Sequence, residues 1–343
     1  MADPTAAAAA LADVPPEPGI NKPDPILVAD EVRRSFGGLT AVDVDHLEIQ
    51  RGAITSLIGP NGAGKTTFFN LMTGFDRPDR GKWSFDGQPL AGLPAHRVVR
   101  LGMVRTFQLT KALTRLTVMD NMLLGATEQR GERFLAALLP QIWGSQEQAI
   151  RERAEELLER FNMDYMRDEL GGELSGGQRK LLEMARALMV EPKMVMLDEP
   201  MAGVNPALTQ SLLAHVKDLP SFGMTVLFVE HDMDVVMDVS DWVVVMGEGK
   251  ILAEGRPQDV TQNPKVIDAY LGEDHGDQSR FTPAPIAATA AAAAGVGESR
   301  PSDTVAAAEH EAPSPHQSSG DADAQTHADD RWSGDGGDEE QQP

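Results

Sequence analysis

Short apolar runs alternate with longer amphipathic stretches along most of the chain. Five runs are β-branched, alternating or continuously apolar, and they predict strands at Ile26–Phe36, Ala41–Gln50, Ala53–Ile58, Met194–Asp198 and Thr225–Val229. Apolar residues at helical spacing predict helices at Thr67–Thr73, Gln148–Phe161, Gly177–Val190 and Ala207–Leu219. Because strands alternate with helices, we expect an α/β core with a mainly parallel sheet. A mostly helical stretch, about residues 97–172, interrupts this core and predicts a helical subdomain.

The two ends of the chain differ in composition from its body. Residues 1–25 are rich in Ala and in Pro, which blocks regular elements, so we expect a disordered extension. Residues 274–343 are mostly Ala, Gly, Ser, Asp and Glu, and predict a disordered acidic tail. Such a tail is either a solubilising appendage or a device for interaction or salt tolerance. The folded domain is therefore expected over residues 26–273.

Charge and cysteine content exclude several classes of protein. The chain has 30 Lys and Arg against 53 Asp and Glu, a net charge of −23. The tail carries −11 and residues 1–25 carry −3, which leaves −9 for the body. Nucleic-acid binders are usually basic, so we expect no nucleic acid as partner. Without cysteine, a disulfide scaffold, a Cys-ligated metal and a thiol nucleophile are excluded.

No segment of the sequence has the length and hydropathy of a membrane span. Spanning helices need about 20 consecutive apolar residues, and the apolar runs here are shorter. The alanine run near the start has no Lys or Arg before it, so a secretory signal is not expected. The sequence therefore predicts a cytoplasmic protein that reaches a membrane only through a partner.

The first chemical motif follows the strand predicted at Ala53–Ile58. The stretch from Gly59 to Thr66 fits GxxxxGK[ST] and leads into a predicted helix, which is the context that a phosphate-binding loop requires. Glycines let successive N–H groups point at one anion, and the helix N-terminus adds its dipole. Lys65 is expected to reach the β- and γ-phosphates, and the Thr66 hydroxyl to ligate Mg²⁺. The expected binding residues are Gly59, Asn61, Gly62, Ala63, Gly64, Lys65, Thr66 and Thr67.

A pair of acids ends the apolar run at Met194–Asp198. A carboxylate at this position lies at the carboxyl edge of the sheet, beside the phosphate loop. We expect Asp198 to hold Mg²⁺, and Glu199 to polarise the attacking water as general base. The simpler alternative is an acid that caps the following helix.

A third motif, LSGGQ, begins at Leu174 and precedes an amphipathic helix. Ser175 and Gln178 have the spacing of a capping box. A capping box does not explain Gly176 and Gly177, because glycine is unfavourable early in a helix. The two glycines indicate the close approach of another group, and an anion at the helix N-terminus fits.

The three motifs together resemble the nucleotide-binding subunits of ABC transporters, over roughly Ile26 to Glu273. The resemblance is specific because the motifs occur in the family's order and spacing. It implies a P-loop NTPase core of the ABC type with an antiparallel β subdomain and a helical subdomain. It further implies ATP and Mg²⁺ as cofactors, and a head-to-tail dimer. In such a dimer the ATP held by one phosphate loop meets the partner's LSGGQ, here Ser175, Gly176, Gly177 and Gln178.

Three further positions match the family one by one. Gln108 resembles the Q-loop glutamine, which senses Mg²⁺ and the lytic water and links the site to the helical subdomain. His231 resembles the switch histidine that contacts the γ-phosphate, and Phe36 lies where the family keeps an aromatic residue that stacks on adenine. A core phenylalanine is the alternative for Phe36. After Glu199 the family's turn often carries Asp, whereas this chain has Asn205.

Smaller details resemble the LivG-type subunit of branched-chain amino-acid importers, in particular Arg105-Thr106-Phe107-Gln108 and the closing Ala269-Tyr270-Leu271-Gly272. This resemblance implies a second ABC ATPase subunit, either identical or LivF-like, and transmembrane permease subunits. An extracytoplasmic solute-binding protein takes part indirectly. The protein is accordingly expected on the inner face of the cell membrane.

Other functions remain open at this stage. The solute could instead be urea or a related small molecule, because solute choice lies in subunits absent here. A soluble ABC ATPase that acts on ribosomes or DNA usually has two cassettes or long coiled-coil arms, and neither is evident. A non-catalytic scaffold is disfavoured because Lys65, Asp198, Glu199 and His231 are all present.

Overall fold

A computed structural model describes residues 4–106, 113–127 and 140–271 of the chain. Its strands are β1 (Pro25–Phe36), β2 (Leu39–Gln50), β3 (Ile54–Ile58), β4 (Arg80–Phe85), β5 (Gln88–Pro89), β6 (Met103–Arg105), β7 (Met194–Asp198), β8 (Thr225–Val229), β9 (Trp242–Gly247) and β10 (Lys250–Gly255). Its α-helices are α1 (Pro4–Ala12), α2 (Lys65–Met72), α3 (Ala95–Arg100), α4 (Val118–Leu123), α5 (Pro140–Arg160), α6 (Gly176–Leu188), α7 (Pro206–Asp218), α8 (Met233–Val239), α9 (Pro257–Thr261) and α10 (Pro264–Leu271). Gln108 and the acidic tail at 274–343 lie outside the described residues.

The larger sheet forms the centre of the fold, with the strand order β10-β9-β3-β8-β7-β6. Its strands are parallel apart from β10, which pairs antiparallel with β9. Every residue of β3, β7, β8 and β9 is buried. Strands of a parallel sheet are covered on both faces, and this explains their continuous apolar runs. The predicted strands at Met194–Asp198 and Thr225–Val229 are confirmed residue for residue.

The smaller sheet is antiparallel, with the order β2-β1-β4-β5. Two glycines with positive φ, Gly37 and Gly38, form the turn between β1 and β2. Alternating burial along β2 places Val42 and Val44 in the core shared with the phosphate-loop helix α2. The expected antiparallel β subdomain is therefore confirmed.

The helical part of the fold is built from α4, α5 and α6. These helices pack around one apolar cluster, to which Met122, Leu158 and Leu182 contribute. The stretch predicted as mostly helical, about residues 97–172, also contains β6, which pairs parallel with β7 at the edge of the large sheet. A strand of three residues is too short to show a period in sequence, so the pattern did not reveal it.

The structure differs from the disorder expected for residues 1–25. Pro4–Ala12 forms the helix α1, and Leu11 is 1% exposed within the main core. Alanine is the strongest helix former, so the alanine run extends as a helix before the prolines begin. After α1 the chain crosses β10, where a Cβ on Gly255 would lie 2.7 Å from the Cβ of Pro16.

A buried ion pair fastens this N-terminal segment to the large sheet. Lys22 Nζ lies 2.8 Å from Glu254 Oε2, with side chains that are 1% and 0% exposed. Glu254 also accepts hydrogen bonds from the backbone N–H of Gly19 at 2.6 Å and from the Trp242 indole at 2.9 Å. Burial lowers the pKa of Lys22, and the charge of Glu254 opposes that shift.

Replacing Lys22 by Met is expected to destabilise the protein by about 3–5 kcal/mol, because Glu254 is left buried without its counter-ion. Urea unfolding followed by far-ultraviolet circular dichroism measures this cost. The double variant Lys22→Met/Glu254→Gln removes both charges and should recover much of the loss. A single-variant cost below about 1 kcal/mol, as for a surface pair, would contradict a buried attachment.

Candidate nucleotide site

The carboxyl ends of three neighbouring strands meet in one row. Leu57 of β3 and Asp198 of β7 both pair with Val229 of β8, which lies between them. The segments that follow these strands therefore emerge at the same edge of the sheet. They are the phosphate loop after β3, Glu199 after β7, and the segment with His231 after β8. This edge is where α/β proteins bind their ligands.

The phosphate loop is held closely by the elements on either side. Gly59 has φ 147°, and a Cβ there would lie 2.1 Å from the carbonyl oxygen of Met246 in β9. Gly64 has φ 101°, and a Cβ there would lie 2.3 Å from the carbonyl oxygen of Ala41 in β2. Side chains at either position would collide with backbone, so the loop needs glycine for packing as well as for conformation.

The rest of the loop has the expected strand–loop–helix context. Helix α2 begins at Lys65, whose Nζ donates to the carbonyl oxygens of Gly59 at 2.6 Å and Pro60 at 2.9 Å. The ammonium is therefore folded over the loop. Ala63 is buried, Gly64 and Thr67 are half-buried, and the loop's exposed residues are Asn61, Gly62 and Thr66.

Asp198 is paired with an arginine that the sequence analysis assigned no role. Arg105 Nη2 lies 2.7 Å from Asp198 Oδ2, with side chains that are 5% and 7% exposed. Its Nη1 donates to the Asn70 side chain at 2.6 Å, and its guanidinium lies 5.6 Å from the ring centroid of Phe69. Arg105 thus joins the end of β6 to β7 and to the phosphate-loop helix α2.

Replacing Arg105 by Met is expected to cost about 3–5 kcal/mol of stability, because it leaves the Asp198 carboxylate buried without a cation. Thermal and urea unfolding of the nucleotide-free protein measure the loss. Arg100→Met is the matched control, since Arg100 is exposed on α3, and it should stay within about 0.5 kcal/mol of the wild type. Equal stability of the two variants would refute the buried pair.

Glu199 has a strained backbone at the start of the turn after β7. Its φ is 46°, in the left-handed region that residues other than glycine seldom adopt. Its N–H donates to the carbonyl of Val229 at 3.1 Å. Lys180 of α6 donates to the carbonyls of Glu199 at 3.2 Å and Pro200 at 2.9 Å. Burial lowers the pKa of Lys180. Lys180 therefore connects α6, the helix that begins in the LSGGQ motif, with the turn of the expected catalytic acid.

His231 follows β8 with an exposed side chain. The imidazole is 68% exposed, and its Nδ1 lies 3.8 Å from the buried carboxylate of Glu230. Glu230 accepts the backbone N–H of Met201 at 3.2 Å and of His231 at 3.3 Å. Burial raises the pKa of Glu230, and these backbone donors oppose the rise. Glu230 thus links the turn after β7, through Met201, with the segment after β8, through His231.

The LSGGQ residues form the N-terminus of α6. Ser175 N donates to Gln178 Oε1 at 2.8 Å, and Gln178 N donates to Ser175 Oγ at 3.3 Å, so the predicted capping box is present. The anion expected near the two glycines stays a prediction, and the close neighbour that the structure gives at Gly177 is a side chain. A Cβ on Gly177 would lie 2.4 Å from Leu208 of α7, whereas a Cβ on Gly176 would meet nothing within 4 Å.

Three further positions from the sequence analysis are Phe36, Gln108 and Asn205, of which Gln108 lies outside the described residues. Phe36 ends β1 with 47% exposure, and the Arg34 guanidinium lies 4.5 Å from its ring centroid, so it is not a core residue. Thr106 N donates to Met196 O at 2.9 Å, so β6 ends at the same edge of the sheet as β7. Asn205 caps α7 and accepts the N–H of Leu208 at 2.9 Å.

A glycine-rich loop with a lysine and a helix N-terminus, set beside a carboxylate at the sheet edge, defines a P-loop protein that binds nucleotide phosphates. Comparison with known proteins narrows this class. Residues 42–202 match the family model described as ABC transporter, and residues 250–276 match the one described as branched-chain amino acid ATP-binding cassette transporter.

Similar proteins come from archaea and bacteria. The chain is 42% identical over 247 residues to the probable branched-chain amino acid transport ATP-binding protein LivG of Archaeoglobus fulgidus, covering 72% of this chain and 95% of that protein. It is 42% identical over 252 residues to the high-affinity branched-chain amino acid transport ATP-binding protein BraF of Pseudomonas aeruginosa, covering 73% and 98%. It is 40% identical to LivG of Escherichia coli, covering 73% and 98%.

Solved structures agree with this similarity. The ADP conformation of an ATP-binding cassette of an ABC transporter matches with a TM-score of 0.64 and 38% identity, covering 72% of this chain and 99% of that one. A nucleotide-free ATP-binding cassette matches with a TM-score of 0.63, 38% identity and coverage of 72% and 98%. The chain therefore belongs to the ATP-binding cassette family of ABC transporters, and it is an ATPase.

Proposed function

We propose that the protein powers the import of branched-chain amino acids, as the ATP-hydrolysing subunit of an ABC transporter. The observation that carries this proposal is the alignment with LivG and BraF proteins over 95% and 98% of their lengths. The second family match, at residues 250–276, supports it from a region outside the phosphate loop and the acidic pair. Import of urea or another small solute is the alternative, because the permease and the binding protein select the solute.

The proposed catalytic roles follow the geometry of the sheet edge. The loop Gly59–Thr67 holds the phosphates through its N–H groups, and Lys65 turns from its loop carbonyls to the β- and γ-phosphates. Glu199, in the turn just after β7, accepts a proton from the attacking water. His231 contacts the γ-phosphate, and Gln108 orients the water. The exposure of His231 supports a role toward a ligand rather than a core role.

Mg²⁺ is proposed as the partner of ATP. No group of three or more His, Asp or Glu within the described ranges could hold a metal ion by itself. Mg²⁺ is usually bound by one or two protein groups together with substrate phosphates, so Thr66, Asp198 and Gln108 fit this mode. One carboxylate oxygen of Asp198 forms an ion pair with Arg105. The other oxygen is the one proposed to face the Mg²⁺ ion. When bound, Mg²⁺ neutralises phosphate charge.

The LSGGQ motif and Phe36 are proposed to complete the nucleotide site. Ser175, Gly176, Gly177 and Gln178 would contact the ATP held by a second ATPase subunit, either identical or LivF-like. The exposure of Gly176 supports this, because its N–H lies at an open helix N-terminus. Phe36 would stack on adenine, and its 47% exposure leaves the ring available.

Membrane attachment is proposed to occur through permease subunits. None of the helices in the described part of the chain has the length and apolar character required to cross a bilayer. The helical part at α4–α6 and the segment of Gln108 are the proposed contact with the permease, which in turn meets an extracytoplasmic solute-binding protein. The proposed location is the cytoplasmic face of the cell membrane.

Uptake of labelled leucine and labelled urea in cells that lack the gene tests the proposed substrate. Loss of leucine uptake alone, restored by the wild type and not by Glu199→Gln, supports the proposal. Loss of urea uptake would overturn the substrate while keeping the ATPase. Unchanged uptake of both solutes, together with co-purification with ribosomes, would instead favour a soluble ABC ATPase.

A further inference from the structure

A second concave site lies at the edge of the large sheet opposite the nucleotide loop. A cavity of about 400 Å³ is lined there by α5, by the turn after α6 and by the residues just before β8. Its wall residues Pro192 and Met224 come two residues or fewer before β7 and β8 begin, whereas the nucleotide residues follow the ends of these strands. The volume is within the range of small-molecule pockets.

Two arginines in this wall each have one side-chain nitrogen without a hydrogen-bond acceptor among the described residues. Arg153 Nε and Arg160 Nη2 are both buried, and neither has a partner among the described residues. The one carboxylate that pairs with Arg153 there is Glu156, at 3.9 Å from Nη1, which is too long for a hydrogen bond. Both arginines line the cavity, and the Arg153 side chain is 33% exposed, so an anion in the cavity can accept charge-assisted hydrogen bonds from the two groups.

The two arginines also raise the positive potential of the cavity. They lie seven residues apart on α5 and so share one face of the helix. Burial lowers the pKa of Arg160, and the charge of Arg153 adds to this shift, although Asp218 opposes it. The Arg160 guanidinium lies 3.2 Å from the ring centroid of Phe222, which holds the group in place.

The rest of the wall has two further kinds of surface. Leu157, Phe222 and Met224 offer an apolar face, and Glu156 and Glu191 offer carboxylates. Inorganic phosphate would leave the apolar face and the glutamates unused. A simple fatty carboxylate would leave the glutamates without a cation. A ligand that carries a carboxylate, an ammonium and an apolar side chain matches all three surfaces.

We propose that this cavity binds a free apolar α-amino acid. Its carboxylate accepts from Arg153 and Arg160, its ammonium lies against Glu156 and Glu191, and its side chain packs on Leu157 and Phe222. The site is separate from the nucleotide loop, and the inference concerns binding alone, so it stands whether or not the proposed transport substrate is right.

Isothermal titration calorimetry of the full chain with leucine tests the proposal. We expect saturable binding that weakens at least about tenfold in Arg160→Gln and in Arg153→Gln, the loss of a hydrogen bond to a charged group. Arg151→Gln is the matched control, because Arg151 is exposed on the same helix, and it should bind leucine normally. Thermal unfolding confirms that each variant is folded.

Three ligand probes examine the chemistry of the site. Isoamylamine lacks the carboxylate, and 4-methylpentanoate lacks the ammonium, so each should bind at least about tenfold more weakly than leucine. No saturable heat up to about 10 mM leucine would overturn the proposal. Undiminished leucine binding in both arginine variants would also overturn it. So would binding of inorganic phosphate in preference to leucine.

Discussion

Glu199→Gln is expected to lower ATP turnover by about 100- to 10,000-fold, the contribution of a general base. The amide keeps the shape of the side chain and cannot accept the proton of the attacking water. ATP affinity should stay close to that of the wild type, because the phosphate loop and Lys65 are unchanged. If contacts to the γ-phosphate close two subunits, the variant should accumulate a closed dimer in the presence of ATP. Phosphate release and analytical ultracentrifugation measure the two effects.

The chain offers a matched control for this substitution. Glu31 has φ 51°, close to the 46° of Glu199, and its side chain is exposed on β1. Glu31→Gln therefore repeats the same chemical change on a similar backbone conformation, in the antiparallel sheet. It should leave turnover unchanged. Near-normal turnover in Glu199→Gln would remove Glu199 from its proposed role.

The sequence predicts the parts of this site that depend on local order. The phosphate loop needs a strand before it and a helix after it, and both can be inferred from apolar periodicity and from Gly59 and Gly64. Asp198 is predictable for the same reason, since an acid that ends a buried strand must lie at the sheet edge. The capping box at Ser175 is a local interaction, and it is present as expected.

The features that the sequence did not reveal depend on contacts between distant residues. Arg105 pairs with Asp198, which is 93 positions away, and its role follows only from the parallel pairing of β6 with β7. Lys22 is held in place by its hydrogen bond to Glu254, which is 232 positions away. Proline content in residues 1–25 indicated disorder, whereas these long-range contacts and the burial of Leu11 order the segment. A charged residue that ends a buried apolar strand, as Arg105 does in β6, is the sequence signal for a buried ion pair.

Lys65→Ala is expected to weaken ATP binding itself, by about 10- to 100-fold, which corresponds to the loss of about 1.5–3 kcal/mol from charge-assisted hydrogen bonds to the phosphates. This differs from Glu199→Gln, which should spare binding and remove turnover. The two variants together therefore separate the phosphate loop from the catalytic acid. Equilibrium binding of a fluorescent ATP analogue, with ATP as competitor, measures the affinity.

Lys65 has a structural contact that the experiment must separate from its proposed role. Its Nζ donates to the carbonyls of Gly59 and Pro60, so removal of the ammonium could alter the loop as well as the ligand contact. Thermal unfolding without nucleotide measures the structural share, and Lys82→Ala, at an exposed position of β4, is the surface control. A Lys65→Ala protein of normal stability that binds ATP normally would make the phosphate-loop assignment wrong. Weakened binding at unchanged stability would show that the ammonium acts on the phosphates directly.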